Sequence, residues 1–249
     1  AELKIASRGG PDNLFNGGIM VGGTMKSLFK SGVRDIKNKF SDQKEDDEFA
    51  TPYGLRIGAA VDIDTLPLRI HADDLHVELP DETLLIVAQG YVELGDSTYV
   101  HRYYTANDTM IQVLTVAGME DQHVEEITLY VPHQSYYPAN DAEWLQWTAN
   151  GGKLGAPKFQ LKDGTEYSRL WFDTTEGHAD PAEFSEYIYE DPDSDDHQEN
   201  YQKTMLFGRN LGDDKKNEYL LVTVDSYEGE KTVELMVGVD LEFAMLRVI

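Results

Sequence analysis

The densest group of residues able to bind a metal is His71, Asp73, Asp74 and His76. Imidazole and carboxylate together suit a divalent transition metal if a strand–turn–strand converges them. No third histidine follows at a usual spacing, so an exposed polar turn is the expectation and no metal is assigned. The run Glu190-Asp191-Pro192-Asp193-Ser194-Asp195-Asp196 opens like a calcium loop, with oxygens at its first, third and fifth positions. It then departs from the pattern. Asp196 replaces the glycine of the sharp turn, and Gln202 stands where the bidentate glutamate belongs. A solvated acidic loop is expected there.

Signatures of catalysis are missing. There is no Gly-x-Ser-x-Gly elbow, no His-Glu-x-x-His and no Gly-x-Gly-x-x-Gly after a strand. With no cysteine, thiol chemistry and thiolate metal sites are excluded as well. Neighbouring carboxylates such as Glu125/Glu126 and Asp213/Asp214 point to opposite faces of a strand. His101, in Val-His-Arg-Tyr-Tyr, would share a face with Tyr99 and Tyr103, and reads as a satisfied histidine of an aromatic sheet surface. The alternative is a small-ligand binder or enzyme built on Tyr99, His101, Tyr103, Trp144, Trp147 and Trp171. No cofactor is implied by any of these patterns.

Charge is the more informative signal. The formal net charge is −25, from 46 acidic and 21 basic residues. A body that negative repels phosphate backbones, so nucleic-acid binding is not expected. Within this acidic chain, residues 25–40 carry Lys26, Lys30, Arg34, Lys37 and Lys39 against Asp35 alone. Their apolar members Met25, Leu28, Phe29, Val33, Ile36 and Phe40 recur at helical spacing and form one stripe. A basic amphipathic helix of this kind fits an anionic bilayer surface, a partner helix, or the acidic body of its own chain. Lys26, Leu28, Phe29, Lys30, Val33, Arg34, Ile36, Lys37 and Phe40 are therefore the candidate membrane- or partner-binding residues.

Around that segment the chain divides readily. Residues 1–24, punctuated by Gly9-Gly10-Pro11, Gly17-Gly18 and Gly22-Gly23, read as a flexible leader, with Met25 as a natural start. Residues 41–53 read as an acidic linker. Residues 54–249 read as one acidic β-rich domain. Long alternating runs separated by short turns leave no room for crossover helices, which predicts an antiparallel meander. Its strands lie near Leu84–Leu94, Thr98–Thr105, Thr109–Val116, Val124–Val131, Tyr219–Asp225 and Thr232–Val239. Shorter strands are expected at Leu66–Ile70, Leu75–Leu79, Tyr167–Phe172 and Lys203–Phe207, and residues 180–190 lean to strand. One helix interrupts the series near 140–149, with Asn140 as N-cap, Glu143 completing a capping box and Gly151 just past its end. The fold class is mainly β (β-rich α+β): an antiparallel meander, curved sheet or sandwich with one inserted helix and a separate N-terminal basic helix. No apolar run approaches the ~20 residues of a membrane-spanning helix.

Gly54-Leu55-Arg56-Ile57-Gly58-Ala59-Ala60, Asp64-Thr65-Leu66, Arg102-Tyr103-Tyr104-Thr105 and Gly238-Val239-Asp240-Leu241, in this order and spacing, resemble the YjfK-like family of bacterial proteins of unknown function. The resemblance spans roughly residues 53–249, together with a short basic start like Met25–Phe40. It implies a bacterial, cytoplasmic protein, peripheral at the inner membrane. Genes of the family often lie beside one for a phage-shock-protein-A type membrane-remodelling protein, which implies a role in envelope stress. It transfers no catalytic residue. The resulting expectation is a non-enzymatic adaptor whose partner is that type of protein or an anionic membrane surface.

Overall fold

The alternating run that begins at Leu84 forms the longest early strand of the computed structural model, which describes residues 51–172, 177–212, 216–227 and 230–249. The expected leader, the basic helix 25–40 and nearly all of the acidic linker lie outside the described residues. Twelve strands follow in order: β1 (Ala60–Ile63), β2 (Leu84–Gly95), β3 (Thr98–Thr105), β4 (Met110–Val116), β5 (Val124–Tyr136), β6 (Lys158–Gln160), β7 (Glu166–Arg169), β8 (Ala182–Tyr189), β9 (Gln198–Asn210), β10 (Asn217–Tyr227), β11 (Glu230–Asp240) and β12 (Leu246–Val248). Every pairing between them is antiparallel, as the short connections predict. The tight β2–β3 connection places both Asp96 and Ser97 at positive φ, 50° and 55°, the backbone twist that suits a two-residue hairpin.

The sheet closes on itself. β8 pairs with both β2 and β9, so the ladder runs β2–β3–β4–β5–β11–β10–β9–β8 and returns to β2. The fold is mainly β with one inserted helix, as expected, and the curved antiparallel sheet closes into an eight-stranded barrel with two wings. β1 and β12 extend the first part of β2, while β7 and β6 extend the last part of β9. Closure leaves the ring no free edge to recruit unwanted strands. At the seam, β8 meets β2 opposite Gly90. A Cβ on Gly90 would lie 1.8 Å from Glu186 Oε1, so only glycine lets the Glu186 carboxylate cross the seam.

Much of the ring is buried on both faces, although Glu183 of β8 and Tyr201 of β9 are exposed on its outer wall. Facing outward, Val113, Leu129, Leu220, Val222 and Val237 belong to one apolar core with Leu55, Val61 and Leu84 from the N-terminal wing. The inserted helix, Asp141–Thr148, packs Trp147 on Phe159 of β6, which in turn meets Phe207 of β9. Its start is as expected: Glu143 N–H donates to Asn140 Oδ1 at 3.0 Å.

Three short segments differ from the strand reading. Leu66–Arg69 is one helical turn, because Pro67 fits the first turn of a helix, where no N–H is needed. Residues 75–79 join no strand; the His76 and Val77 N–H groups donate to the Glu218 carboxylate instead of a ladder. β7 stops at Arg169, and Phe172 beyond it has φ 63°. Residues 182–189 form the closing strand β8.

Candidate functional site

Two polar constellations are built on the barrel, one inside and one outside. The inner one starts from Arg102 of β3. Its Nη1 donates to Glu186 Oε2 of β8 at 2.7 Å and to Gln202 Oε1 of β9 at 3.0 Å, and its Nε donates to Gln112 Oε1 of β4 at 3.1 Å. Tyr104 OH donates to Glu186 Oε1 at 2.8 Å, and Gln202 Nε2 to Glu186 Oε2 at 2.6 Å. The Phe184 ring lies 5.5 Å from the guanidinium. All these residues belong to ring strands, so the network fills the interior, as side chains do in small barrels. Burial alone would lower the Arg102 pKa, but the Glu186 charge outweighs it and holds the guanidinium protonated. Burial first, and then Glu186, raises the Tyr104 phenol well above its ordinary value. Apart from the partly exposed Tyr104 the network is buried, and its groups are engaged with one another.

The outer constellation centres on Glu218 of β10, whose side chain is fully buried. Its Oε1 accepts the His76 and Val77 backbone N–H groups at 2.5 and 3.1 Å. Its Oε2 accepts from Tyr167 OH at 2.7 Å and from Arg209 Nε at 2.8 Å. Burial would raise this carboxyl, yet the bonds from Tyr167, Arg209 and His76 prevail and the net shift is downward. His76 sits on top, with Nδ1 3.2 Å from Glu218 Oε2 and Nε2 2.7 Å from Asp163 Oδ2. The bond to His76, assisted by the Thr165 N–H, lowers the exposed Asp163 carboxyl. His133 lies edge-on to His76 with ring centroids 5.8 Å apart; burial and the His76 charge lower its pKa. Arg209 also donates to the Asp74 carbonyl. Together these contacts pin the 74–77 loop and the β6–β7 turn to the barrel wall. An imidazole between two carboxylates resembles acid–base machinery, but its nitrogens are already engaged within the protein. The arrangement is a latch.

Of the residues weighed as metal ligands, only His76 enters this cluster through its side chain; Asp74 contributes its backbone carbonyl. His71 is buried, whereas Asp73 and Asp74 are exposed. Among the described residues, no three His, Asp or Glu side chains are placed to hold a metal ion. In the 190–196 loop, Asp191 Oδ1 accepts the Asp193 N–H and Ser194 Oγ accepts the Asp196 N–H, and Gln202 points into the barrel. The aromatic set is dispersed. Tyr99 and His101 lie beside Tyr91, and Trp147 is buried under the inserted helix. Trp144 faces Lys231 at 5.8 Å, and Trp171 is core. Burial pushes the His101 imidazole down to about 4, the value of a neutral core histidine rather than a base. The nine candidate residues of the basic segment lie outside the described residues.

Glu218, Arg209, Asp163 and Glu186 were not singled out from sequence, and Arg102 and Tyr167 entered only as members of a motif and of a strand. The available signal was a lone charge interrupting or bordering an apolar strand, as at Glu218-Tyr219-Leu220-Leu221-Val222. Nothing in linear spacing paired them.

Two open grooves on the described surface are walled largely by polar residues. One, about 420 Å³, is lined by Asp62, Asp64, Arg69, Asp81 and Glu82. The other, about 350 Å³, lies at one mouth of the barrel between Glu125, Glu126, Asp240 and Glu242, with Tyr53 and Phe243 on its rim. There, Tyr219 OH donates to Asp240 Oδ2 at 2.6 Å, while burial raises the Asp240 carboxyl.

The fold defines an acidic, closed antiparallel β-barrel whose two polar clusters are engaged within the protein. Residues 36–247 match the family described as "Protein of unknown function (DUF2491)", and the chain belongs to that family. It is 26% identical over 204 residues to the Uncharacterized protein YjfK of Escherichia coli (strain K12), covering 80% of this chain and 90% of that protein. No solved structure matches. No helix among the described residues is long and apolar enough to cross a membrane.

Proposed function

We propose that this protein is a non-enzymatic adaptor, working peripherally at the cytoplasmic face of a bacterial membrane in the response to envelope stress. Residues 25–40 make the contact with an anionic surface or with a phage-shock-protein-A type partner, and the acidic barrel recruits or spaces a basic partner. The observation that carries this reading is the chemistry of two open grooves, both shallow and rich in carboxylates. Such surfaces attract cationic protein segments and repel anionic substrates. The test is co-sedimentation with anionic vesicles, comparing the full chain with one lacking 25–40. Equal binding by both removes the membrane version, and equal capture of a phage-shock-protein-A type protein by both removes the partner version.

A second reading, ligand binding on the outer face of β2–β3, has its own support. His101 Nδ1, Tyr103 OH and Gln89 Nε2 are buried there without a hydrogen-bond partner among the described residues. In register, Gln89 faces Tyr103, and Tyr91 faces His101. These groups are closed off from solvent; unpaired buried polar groups are costly, and an uncharged polar ring compound admitted by an opening of this face would satisfy them. Thermal shift by such compounds, absent in His101→Phe, would support this; a variant that responds equally removes it.

A further inference from the structure

We propose that the groove at the Tyr53 mouth of the barrel is the docking site for this chain's own segment 25–40, so that the contact segment is held on the body until a partner or membrane draws it off. This rests on the reading of 25–40 as the contact segment. It adds the place where that segment rests.

Several observations favour this occupant over a foreign one. The described chain enters at the groove itself. Tyr53 lies two residues past the first described residue and is fixed at the rim by its N–H bond to Asp121 Oδ1 at 2.6 Å. Its ring stacks on Phe243 at a centroid distance of 3.8 Å, and Phe243 remains 50% exposed. Ile127 and Leu241 close the floor and are themselves nearly buried, so the apolar surface offered to Leu28, Phe29, Val33 and Ile36 is the Phe243 ring with Tyr53 beside it. Carboxylates of Glu125, Glu126 and Glu242 flank that surface, opposite in sign to Lys26, Lys30, Arg34, Lys37 and Lys39, while Asp240 is engaged by Tyr219 OH. Ten residues, 41–50, separate that segment from the described chain, a length that reaches at most about 35 Å. A tether that short gives the segment a millimolar-range effective concentration at the groove beside which it is anchored. The tether is itself acidic, with Asp42, Glu45, Asp46, Asp47 and Glu48, so it is repelled by the carboxylates and leaves the groove to the basic segment.

The other barrel mouth provides the control. Asp225 and Glu234 make it acidic too, and burial raises both their carboxyl pKa values. It lies six residues along β11 from Asp240 and is farther from the tether. Charge alone would treat the two mouths alike, whereas a tethered segment reaching an apolar surface would not.

The absence of cysteine permits a direct test in the full chain. Ser31→Cys is combined either with Ala244→Cys, beside Phe243, or with Glu234→Cys at the far mouth. Each pair is treated with a short bismaleimide at high dilution and without membranes. The expected result is an intramolecular adduct at least about tenfold faster for the 31/244 pair. That advantage should shrink in 1 M salt, where the screening length is about 3 Å, and in a Phe243→Ser/Glu242→Lys background. Equal rates at the two mouths, or adducts joining separate chains, would overturn the proposal. Because no vesicle or partner is present, this outcome is independent of the sedimentation result that tests the adaptor reading.

Discussion

Arg102–Glu186 and Arg209–Glu218 are two arginine–glutamate pairs of the same length, 2.7 Å, in opposite settings. The first is enclosed by the ring, ties four of its strands together and crosses the seam where β8 closes the barrel. The second lies on the outer wall, where Arg209 keeps 20% of its side chain exposed, and it fastens a loop and a turn to a barrel already formed. An ion pair in a sealed interior loses most when one partner is removed, because the other charge stays behind without water. On the wall, solvent can take over part of the lost contact. The two pairs therefore differ in what depends on them: closure of the fold in one case, attachment of a loop in the other.

The largest effect expected from this contrast is that of Arg102→Ala, which strands Glu186 and should cost about 3–5 kcal/mol in urea unfolding. Replacing the pair together, as Arg102→Met/Glu186→Leu, should cost less than the single change. A loss for Arg102→Ala below that of Arg209→Ala would break the comparison.

His101 sharpens it, because this residue lies on the outer face yet is fully buried. Its folded pKa is lowered from 6.5 to about 4, so the unfolded chain takes up the proton first. Stability is complete above about pH 6.5 and is lost as pH falls towards 4, by on the order of 3 kcal/mol. His101→Phe should flatten that part of the stability–pH curve. An unchanged slope would show that burial does not set the titration of this residue.

Gly90→Ala should cost roughly 1–3 kcal/mol by displacing the Glu186 carboxylate, and far less in a Glu186→Ala background. Additive losses would mean that the seam tolerates the methyl for another reason. The smallest effect is expected for Glu218→Gln, about 1.5 kcal/mol. Hydrogen exchange should quicken at the His76 and Val77 amides while the β3 and β4 amides stay protected. Since the folded Glu218 pKa is lowered, its contribution is present above the ordinary glutamate pKa of about 4.3. It is lost as pH falls through the folded value, and the variant should lack that part of the acid limb. Equal quickening in the barrel would merge the two regions into one.

Much of this fold was legible because its strands are local events. The Gly95-Asp96-Ser97 turn, the capped helix after Asn140 and the β10–β11 hairpin each carry their signal within a few residues. The closing strand β8 was harder to read, because Phe184, Ile188 and the acidic residues between them fit a helix start and a strand alike. Residues 66–79 were misread where alternation was outweighed by Pro67 and by a carboxylate 142 positions away. His76 was noticed for its neighbours Asp73 and Asp74, yet its partners turned out to be Glu218 and Asp163. Spacing cannot reveal contacts between residues so far apart in the chain.

The sequence by itself determined the antiparallel β class, the capped helix, the acidity of the body and the family, because periodicity, turn chemistry and net charge are properties of short stretches or of sums. Only the tertiary structure decided that β8 closes a ring, that Arg102 and Glu186 meet inside it, and that Glu218 gathers a loop from outside. Those outcomes depend on which strand edges find each other and which charges lose their water together, and both are settled only when distant segments pack.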